Sequence, residues 1–172
     1  MRRAFTMLRT GRLGPVVIAI PDAHAQYDET ADPYIPVKAY KFAPDPADVA
    51  AAVELLLKAK KPLIYAGEGV IYAGASAELK EFAELANTPV ISTLKAKGAF
   101  PEDHPLFVGV RGDQVDQYLN ECDLLFAVGS SLSPGRFTHR VPNAVNKTIV
   151  HCTIDAFHVH KPHPPPPAPP PP

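Results

Sequence analysis

Three short segments of the sequence combine glycine with small or charged residues in a way that suits phosphate binding. They are Gly67-Glu68-Gly69, Gly109-Val110-Arg111-Gly112 and Gly129-Ser130-Ser131. Glycine allows the backbone to approach a phosphate closely, and a helix that begins just beyond such a loop directs its N–H groups at an anion. Any one of these loops also fits an ordinary tight turn. Three at the same edge of a sheet favour a cleft shaped for a nucleotide.

A longer segment, residues 94–109, gathers side chains that are capable of acid–base chemistry. They are Lys95, Lys97, Glu102, Asp103 and His104. A long connection inside a compact α/β domain often has a function, which favours an active-site loop. The same residues also fit a solvated loop with a turn at the two prolines, and the sequence leaves both interpretations open.

The C-terminal segment combines histidine with proline and raises two non-enzymatic alternatives. The histidines are His158, His160 and His163, close to Cys152. Imidazole and thiolate are ligands for zinc, so a His-rich metal-binding protein is one alternative. The prolines that follow are typical of an extended helix that docks on aromatic grooves, so a non-enzymatic interaction module with a partner for proline-rich ligands is the other.

Hydrophobic periodicity predicts the elements that would position these groups. Helices are predicted over residues 46–60, 74–86 and 114–121, and strands over residues 62–67, 89–93, 123–129 and 147–155. The strands are apolar along their whole length and are separated by helices, so they must be parallel and buried on both faces. The sequence therefore predicts an α/β fold with a doubly wound, mostly parallel, Rossmann-like sheet.

The N-terminal segment is predicted to be a separate piece. Residues 2–9 predict a short helix, Gly11 a turn, and residues 16–20 a buried strand. The segment also resembles a secretory signal, but Pro15 and Pro21 interrupt the apolar stretch that such a signal needs. Residues 27–45 lose their periodicity and gather prolines, which predicts an interdomain linker.

The composition limits the classes of function. Of the 172 residues, 46% are hydrophobic and 20% are charged, and the net charge is -1. Lysine and arginine are dispersed, so no basic field is available for nucleic acid. No apolar run approaches the length of about 20 residues that spans a bilayer. Cys122 and Cys152 lie in apolar runs without a CxxC spacing, which predicts buried thiols in a cytoplasmic protein.

Several segments together resemble the thiamine-diphosphate-dependent enzymes, and most closely their acetolactate-synthase-like members. GRLGPVVIAIPDA, at residues 11–23, resembles the end of their pyrimidine-binding domain. The segments that resemble their central domain are the glycine pair after the first strand, the Ala-Gly-Ala helix start, the KG-x-FPE-x-HPL-x-x-G loop, and the run from DLLFAVGSS to TIVHCTID. The resemblance covers most of residues 1–161.

The resemblance implies that a central domain of this kind holds FAD, largely as a structural cofactor. The implied cofactor-binding residues are Gly67, Gly69, Gly109, Arg111, Gly112, Gly129, Ser130, Ser131, Arg136, Phe137 and Asp155. The sequence departs from the acetolactate synthase pattern at Thr138 and His139, where two aspartates are usual, and at Arg111, where a methionine-histidine pair is common. Branches that resemble benzoylformate decarboxylase keep the fold and bind no flavin.

The resemblance also implies which parts of catalysis are missing here. In the full-length family, thiamine diphosphate and Mg²⁺ depend on an early glutamate and on a GDG...N segment of a third domain, and neither is present in this sequence. We therefore expect a fragment of a homo-oligomeric 2-oxo acid decarboxylase or carboligase that is inactive alone. Its expected parts are a remnant of the pyrimidine-binding domain (1–26), a linker (27–45), a central domain (46–161) and a proline-rich tail (162–172).

Overall fold

The computed structural model describes residues 2–21, 30, 32, 35, 38, 40–133 and 139–159. The chain divides into two compact units, residues 1–43 and residues 44–172. Among the described residues, no helix is long and apolar enough to cross a membrane. The strands described below all belong to the second unit.

The first unit contains one short helix, α1, at Arg2–Met7. A turn follows in which Gly11 has a φ of 70°, so the predicted helix and turn are confirmed. The predicted buried strand at residues 16–20 is wrong, because these residues form no strand and Val17 is 92% exposed. A strand needs a neighbour to share its hydrogen bonds, and the described part of this unit offers none, while Pro15 and Pro21 lack an N–H group.

The second unit alternates helices with strands. Its elements are α2 (Pro46–Lys58), β1 (Pro62–Ala66), α3 (Gly69–Ala73), α4 (Ser76–Leu85), β2 (Val90–Ser92), β3 (Phe107–Gly109), α5 (Asp113–Glu121), β4 (Leu124–Val128) and β5 (Thr148–Cys152). Every helix and strand that the sequence predicts in this unit is present. The short elements α3 and β3 were not predicted, and β3 lies inside the segment that was expected to be a loop.

The start of α2 has the signals that the sequence predicts. The Asp45 carboxylate accepts a hydrogen bond from Ala47 N at 2.8 Å, and Pro46 occupies the first turn. An acceptor at this position satisfies one of the free N–H groups of the helix, and proline there loses nothing because it has no N–H to satisfy.

The five strands form one parallel sheet in the order β3-β2-β1-β4-β5. The chain runs outward from β1 through β2 to β3, and then continues on the other side of β1 through β4 to β5. The doubly wound, Rossmann-like sheet that the sequence predicts is therefore confirmed. The order reverses between β1 and β4, where Ala66 and Val128 pair at the carboxyl ends of the strands. Sheets of this kind bind ligands in the crevice outside that point.

Apolar layers cover both faces of the sheet. Ile64 packs in one layer with Leu79 of α4, while its neighbour Leu63 packs in the other with Leu119 of α5. Successive side chains of a strand point to opposite faces, so each strand contributes to both layers. This two-sided burial is the physical reason that the strands are apolar along their whole length.

Asp123 joins three strands at the amino edge of the sheet. Its carboxylate accepts hydrogen bonds from Lys60 N at 2.8 Å and Lys61 N at 2.9 Å, just before β1. Its backbone carbonyl accepts from Thr148 N, at the start of β5, at 2.9 Å. Burial raises the pKa of Asp123, but the N–H donors of Lys60 and Lys61 outweigh it and lower the pKa overall. The charged carboxylate therefore stabilises the start of β1 beside β4.

Ser92, at the end of β2, is 1% exposed, and its Oγ has no hydrogen-bond partner among the described residues. A buried hydroxyl without a partner costs folding free energy, so we expect Ser92→Ala to raise the free energy of unfolding by about 1 kcal/mol in urea titrations. The control is Thr88→Val, because the buried Thr88 hydroxyl donates to Ala86 O at 3.0 Å. That variant should lose about 1 kcal/mol. A loss of stability in Ser92→Ala would contradict the assignment.

Candidate functional site

The loops that follow β1 and β4 touch through their backbones. Gly67 N donates to Val128 O at 2.8 Å, and Gly69 N donates to Gly129 O at 2.9 Å. A Cβ atom on Gly67 would lie 2.3 Å from Gly129 O, and one on Gly69 would lie 2.7 Å from Gly129 Cα. Gly129 itself has a φ of 65°. These three positions require glycine because the two loops approach more closely than any side chain permits.

The sequence predicts that these glycines let a ligand approach, whereas the structure shows that they let the loops approach each other. The glycines thus form the floor of the crevice at the reversal point of the sheet. The backbone N–H groups of Glu68 and Ser130, the residues after Gly67 and Gly129, make no hydrogen bond within the described part of the chain. They are candidate donors for an anion.

The serine hydroxyls beside Gly129 have local partners. Ser130 Oγ accepts from Leu132 N at 3.2 Å, and Ser131 Oγ accepts from Ser133 N at 3.3 Å. His151 Nε2 donates to Ser130 O at 2.8 Å. The side chains of Ser130 and Ser131 therefore hold the shape of the loop after β4.

The loop between β3 and α5 is the third glycine-bearing loop. Gly109 and Gly112 have φ values of 139° and 115°, and nothing lies within 4 Å of a Cβ atom placed on Gly112. Glycine is therefore needed there for backbone conformation and not for close packing. The Arg111 side chain is exposed and has no ion pair or hydrogen bond within the residues that the structure describes. It is a cation of this loop that can meet an anionic group.

The N-terminus of α5 is less favourable for an anion than the sequence suggests. Asp113 and Asp116 lie in the first turn of the helix. Carboxylates there already interact with the positive end of the helix dipole, and they repel a bound phosphate. The first turn of α5 therefore adds no positive charge for a ligand, whereas the neighbouring Arg111 does.

A buried hydrogen-bonded pair that the sequence did not predict links β1 to this loop. The Tyr65 hydroxyl lies 3.0 Å from His139 Nδ1, and His139 Nε2 lies 2.7 Å from Val110 O. Tyr65 is 2% exposed, and burial raises its pKa to about 12. Burial is also the largest effect on His139, and it lowers the pKa of that imidazole. Both groups are therefore neutral at pH 7, and they connect the centre of the sheet to the loop that contains Arg111.

Asp155, at the end of the loop after β5, is already engaged. Its Oδ1 accepts from Phe157 N at 2.9 Å, and its Oδ2 lies 3.3 Å from His158 Nε2. His158 Nδ1 lies 3.2 Å from the Thr153 hydroxyl. Any role of Asp155 toward a ligand must use the lone pairs that these contacts leave.

Cys152, the last residue of β5, is exposed, contrary to its prediction as a buried thiol.

Several predicted groups lie outside the described residues. They are Arg136, Phe137, His160, His163 and the proline-rich tail. Among the residues that are described, no group of three or more histidine, cysteine, aspartate or glutamate side chains is placed to hold a metal ion.

The candidate acid–base loop does not gather its side chains at one point. Lys97 pairs with Glu102 at 2.9 Å within the loop. His104 Nε2 donates to Glu84 of α4 at 3.1 Å, and this hydrogen bond is the main cause of the lowered pKa of Glu84. Lys95 alone reaches the glycine loop after β1, through an exposed ion pair with Glu68 at 3.5 Å. The contacts favour a structural loop over a set of catalytic groups.

Comparison with known proteins identifies relatives of this fold. A family model described as "Thiamine pyrophosphate enzyme, central domain" matches residues 49–168. The chain is 38% identical over 167 residues to the glyoxylate carboligase of Escherichia coli O157:H7, and 37% identical over 174 residues to the acetolactate synthase large subunit of Corynebacterium glutamicum. These alignments cover 90% and 94% of this chain, respectively, and 27% of each relative. The chain thus spans little more than a quarter of the length of these relatives.

A solved structure gives the same result. The X-ray structure of a candidate thiamin diphosphate-dependent enzyme from Mycobacterium smegmatis superimposes with a TM-score of 0.62 and 25% sequence identity. The match covers 89% of this chain and 34% of that one. The similarity in sequence and the similarity in fold therefore point to one family.

Replacing Gly67 with alanine is expected to lower the free energy of unfolding by about 3 kcal/mol, because the new Cβ atom would overlap the Gly129 carbonyl. The control is Gly112→Ala, where space is open and only backbone strain acts, so that a loss of about 1–2 kcal/mol is expected. Urea denaturation measures both. Equal losses in the two variants would contradict direct contact between the loops after β1 and β4.

Proposed function

The chain belongs to the thiamine pyrophosphate enzymes, whose central domain it contains, and from this premise we propose that it serves a carboligase of the acetolactate synthase type that acts on 2-oxo acids. The match of the family model over residues 49–168 supports this proposal most strongly. The identity to a glyoxylate carboligase and to acetolactate synthase large subunits supports the type of reaction. In this proposal the choice of 2-oxo acid depends mostly on residues outside this sequence.

The proposed division of labour follows from the sequence. The chain contains no Gly-Asp-Gly segment, and no acidic residue follows Asp155. Magnesium in such enzymes needs oxygen ligands, so the residues that hold thiamine diphosphate and Mg²⁺ are proposed to come from other domains. In this proposal residues 46–161 form the central domain, residues 1–26 belong to the pyrimidine-binding domain, residues 27–45 link them, and residues 162–172 form a tail.

We further propose that the carboxyl edge of the sheet binds FAD. The N–H groups of Glu68 and Ser130 have no partner in the described part of the chain, and Arg111 offers an unpaired cation to a pyrophosphate. The open space beside Gly112 allows a ligand to lie against the backbone. Asp155 would accept a hydrogen bond from a ribose hydroxyl, and Arg136 and Phe137 belong to the proposed site by resemblance alone. A flavin held here would be largely structural.

Exposed apolar side chains support assembly with other domains or copies. Leu57 of α2, Leu85 of α4, Val145 and Phe157 are each more than three-quarters exposed, and Val145 reaches 94%. A contiguous apolar patch of several hundred Å² marks a contact surface, and we propose that these side chains contribute to such patches. A homo-oligomer in the cytoplasm, as is usual for enzymes of this kind, is the proposed setting.

Titration of the purified chain with FAD, followed by flavin fluorescence, tests the cofactor proposal. We expect saturable binding that weakens about tenfold in Arg111→Ala, because a charge-assisted contact to the pyrophosphate is lost. Arg3→Ala is the control, since Arg3 is an exposed arginine of the first unit and should leave the affinity unchanged. Absence of binding by the unmodified chain would overturn the FAD proposal.

The purified 172-residue chain is expected not to consume pyruvate or glyoxylate when thiamine diphosphate and Mg²⁺ are added, because the groups that activate and hold them are proposed to lie elsewhere. Carbon dioxide release and acetolactate formation are the measurements, and an intact acetolactate synthase assayed alongside is the positive control. Turnover by the chain alone would refute the proposed division of labour.

A further inference from the structure

His139 joins two segments at the carboxyl edge that are distant in the sequence. A carbonyl oxygen only accepts hydrogen bonds, so the contact with Val110 requires a proton on His139 Nε2. The neutral imidazole then has a lone pair on Nδ1, which accepts the hydrogen of the Tyr65 hydroxyl. The two rings meet edge to face, with centroids 5.6 Å apart and an angle of 89°. One tautomer of neutral His139 therefore satisfies every contact.

The loop that His139 holds has few other constraints. It begins at Gly109, which pairs with Ile91 in the sheet, and ends at Gly112, whose carbonyl accepts from Asp116 N at 3.0 Å. Within the described residues, the bond from His139 is the only hydrogen bond to Val110 or Arg111, which lie between these two ends. His139 is therefore the polar contact that restrains this middle part of the loop, next to Arg111.

We propose that His139 is a positioning residue of this edge, which holds residues 109–112 through the Val110 carbonyl and so places Arg111 to meet the phosphate groups of a dinucleotide. The Tyr65 hydroxyl assists by donating a hydrogen bond to Nδ1 of His139, which favours the tautomer protonated at Nε2. This inference rests on the proposed binding of a dinucleotide at the same edge. His139 acts on the ligand only through the loop.

Protonation of His139 opposes this arrangement. A proton on Nδ1 would face the Tyr65 hydroxyl, whose own hydrogen would then lose its acceptor in a buried place. Two charged groups also act on His139. Arg111 disfavours its protonation, and Asp116 of α5 favours it. Burial is the largest effect, and the pKa of His139 is lowered overall.

The sign of the pH dependence follows from this lowered pKa. The folded chain favours neutral His139, so the stability that the Tyr65 contact adds is complete above the ordinary histidine pKa of about 6.5. It is lost as the pH falls through the lowered pKa in the folded chain. The imidazolium keeps the proton on Nε2, so the hydrogen bond to Val110 O persists. We therefore expect the stability of the chain, and not ligand binding, to fall on the acidic side.

Three variants of the full chain separate the roles. His139→Gln keeps a donor for Val110 and an acceptor for Tyr65 but does not titrate, His139→Ala removes both contacts, and Tyr65→Phe removes only the contact at Nδ1. FAD affinity is measured by fluorescence from pH 5 to pH 8. The ¹⁵N signals of the imidazole and the backbone order parameters of residues 109–112 are measured by NMR without ligand.

We expect the unfolding equilibrium constant of the unmodified chain, measured in urea, to rise by up to about tenfold for each pH unit between the ordinary histidine pKa and the lowered pKa of folded His139, while the FAD affinity changes little. His139→Gln should bind as tightly at pH 7 and lose this dependence. His139→Ala should bind at least about tenfold more weakly at pH 7, with lower order parameters at Val110 and Arg111. The imidazole of the unmodified chain should show the tautomer protonated at Nε2, and Tyr65→Phe should keep that tautomer in smaller excess, because the Val110 contact still requires it.

The outcomes distinguish this inference from the proposed function. If the unmodified chain binds FAD and His139→Ala binds equally well with unchanged order parameters, the positioning role is overturned while the FAD proposal stands. If the unmodified chain does not bind FAD, the proposed cofactor is wrong, and the order parameters still decide whether His139 holds the loop. An imidazole protonated at Nδ1 at pH 7 would also overturn the inference.

Discussion

The loops after β1 and β4 touch through backbone atoms alone, and the carboxyl edge of the sheet is arranged around that contact. Gly67, Gly69 and Gly129 leave no room for a Cβ atom between the two loops. The order of the sheet reverses between these strands, so the contact lies at the place where doubly wound sheets bind their ligands. Because the floor is tightly packed, the proposed binding would use unpaired backbone N–H groups and Arg111.

The two edges of the sheet differ in what their polar groups do. At the amino edge, the Asp123 carboxylate is satisfied by backbone donors and acts as a structural clamp. At the carboxyl edge, His139 holds a loop by one hydrogen bond, and Arg111 has no partner among the described residues. In proteins generally, segments of low local stability and unpaired polar groups are found at functional sites, whereas structural sites have fully paired polar groups.

The elements that the sequence predicted correctly are those in which local and global preferences agree. β1 and β4 are uniformly apolar because both of their faces are covered, and this leaves a clear signal in the sequence. β3 was missed because it has only three residues beside several prolines. Residues 16–20 were apolar enough for a strand, but strand formation depends on a neighbour, and composition does not reveal whether one exists.

Less of the candidate site could be derived from the sequence. The three glycine-bearing loops lie at the carboxyl ends of β1, β3 and β4, but their binding of a ligand stays a prediction. The sequence could not distinguish glycine required by a ligand from glycine required by the adjacent loop. The pair of Tyr65 and His139 was missed because 74 residues separate them, and a tyrosine in an apolar strand looks like any core residue. The pairing of Asp155 with His158 was likewise invisible until the turn after β5 was known.

The Asp123 clamp has a consequence for how the chain reaches this structure. Its partner Lys60 is 63 residues away, and every neighbouring pair of strands is parallel, so no pair can form from a simple hairpin. Closing such long segments costs entropy before any contact repays it, which slows folding of sheets with this topology. The helices can form from local contacts, whereas the Asp123 clamp requires β1 and β4 to lie side by side. We therefore expect the contacts at the amino edge to be among those that form only when the two halves of the sheet join.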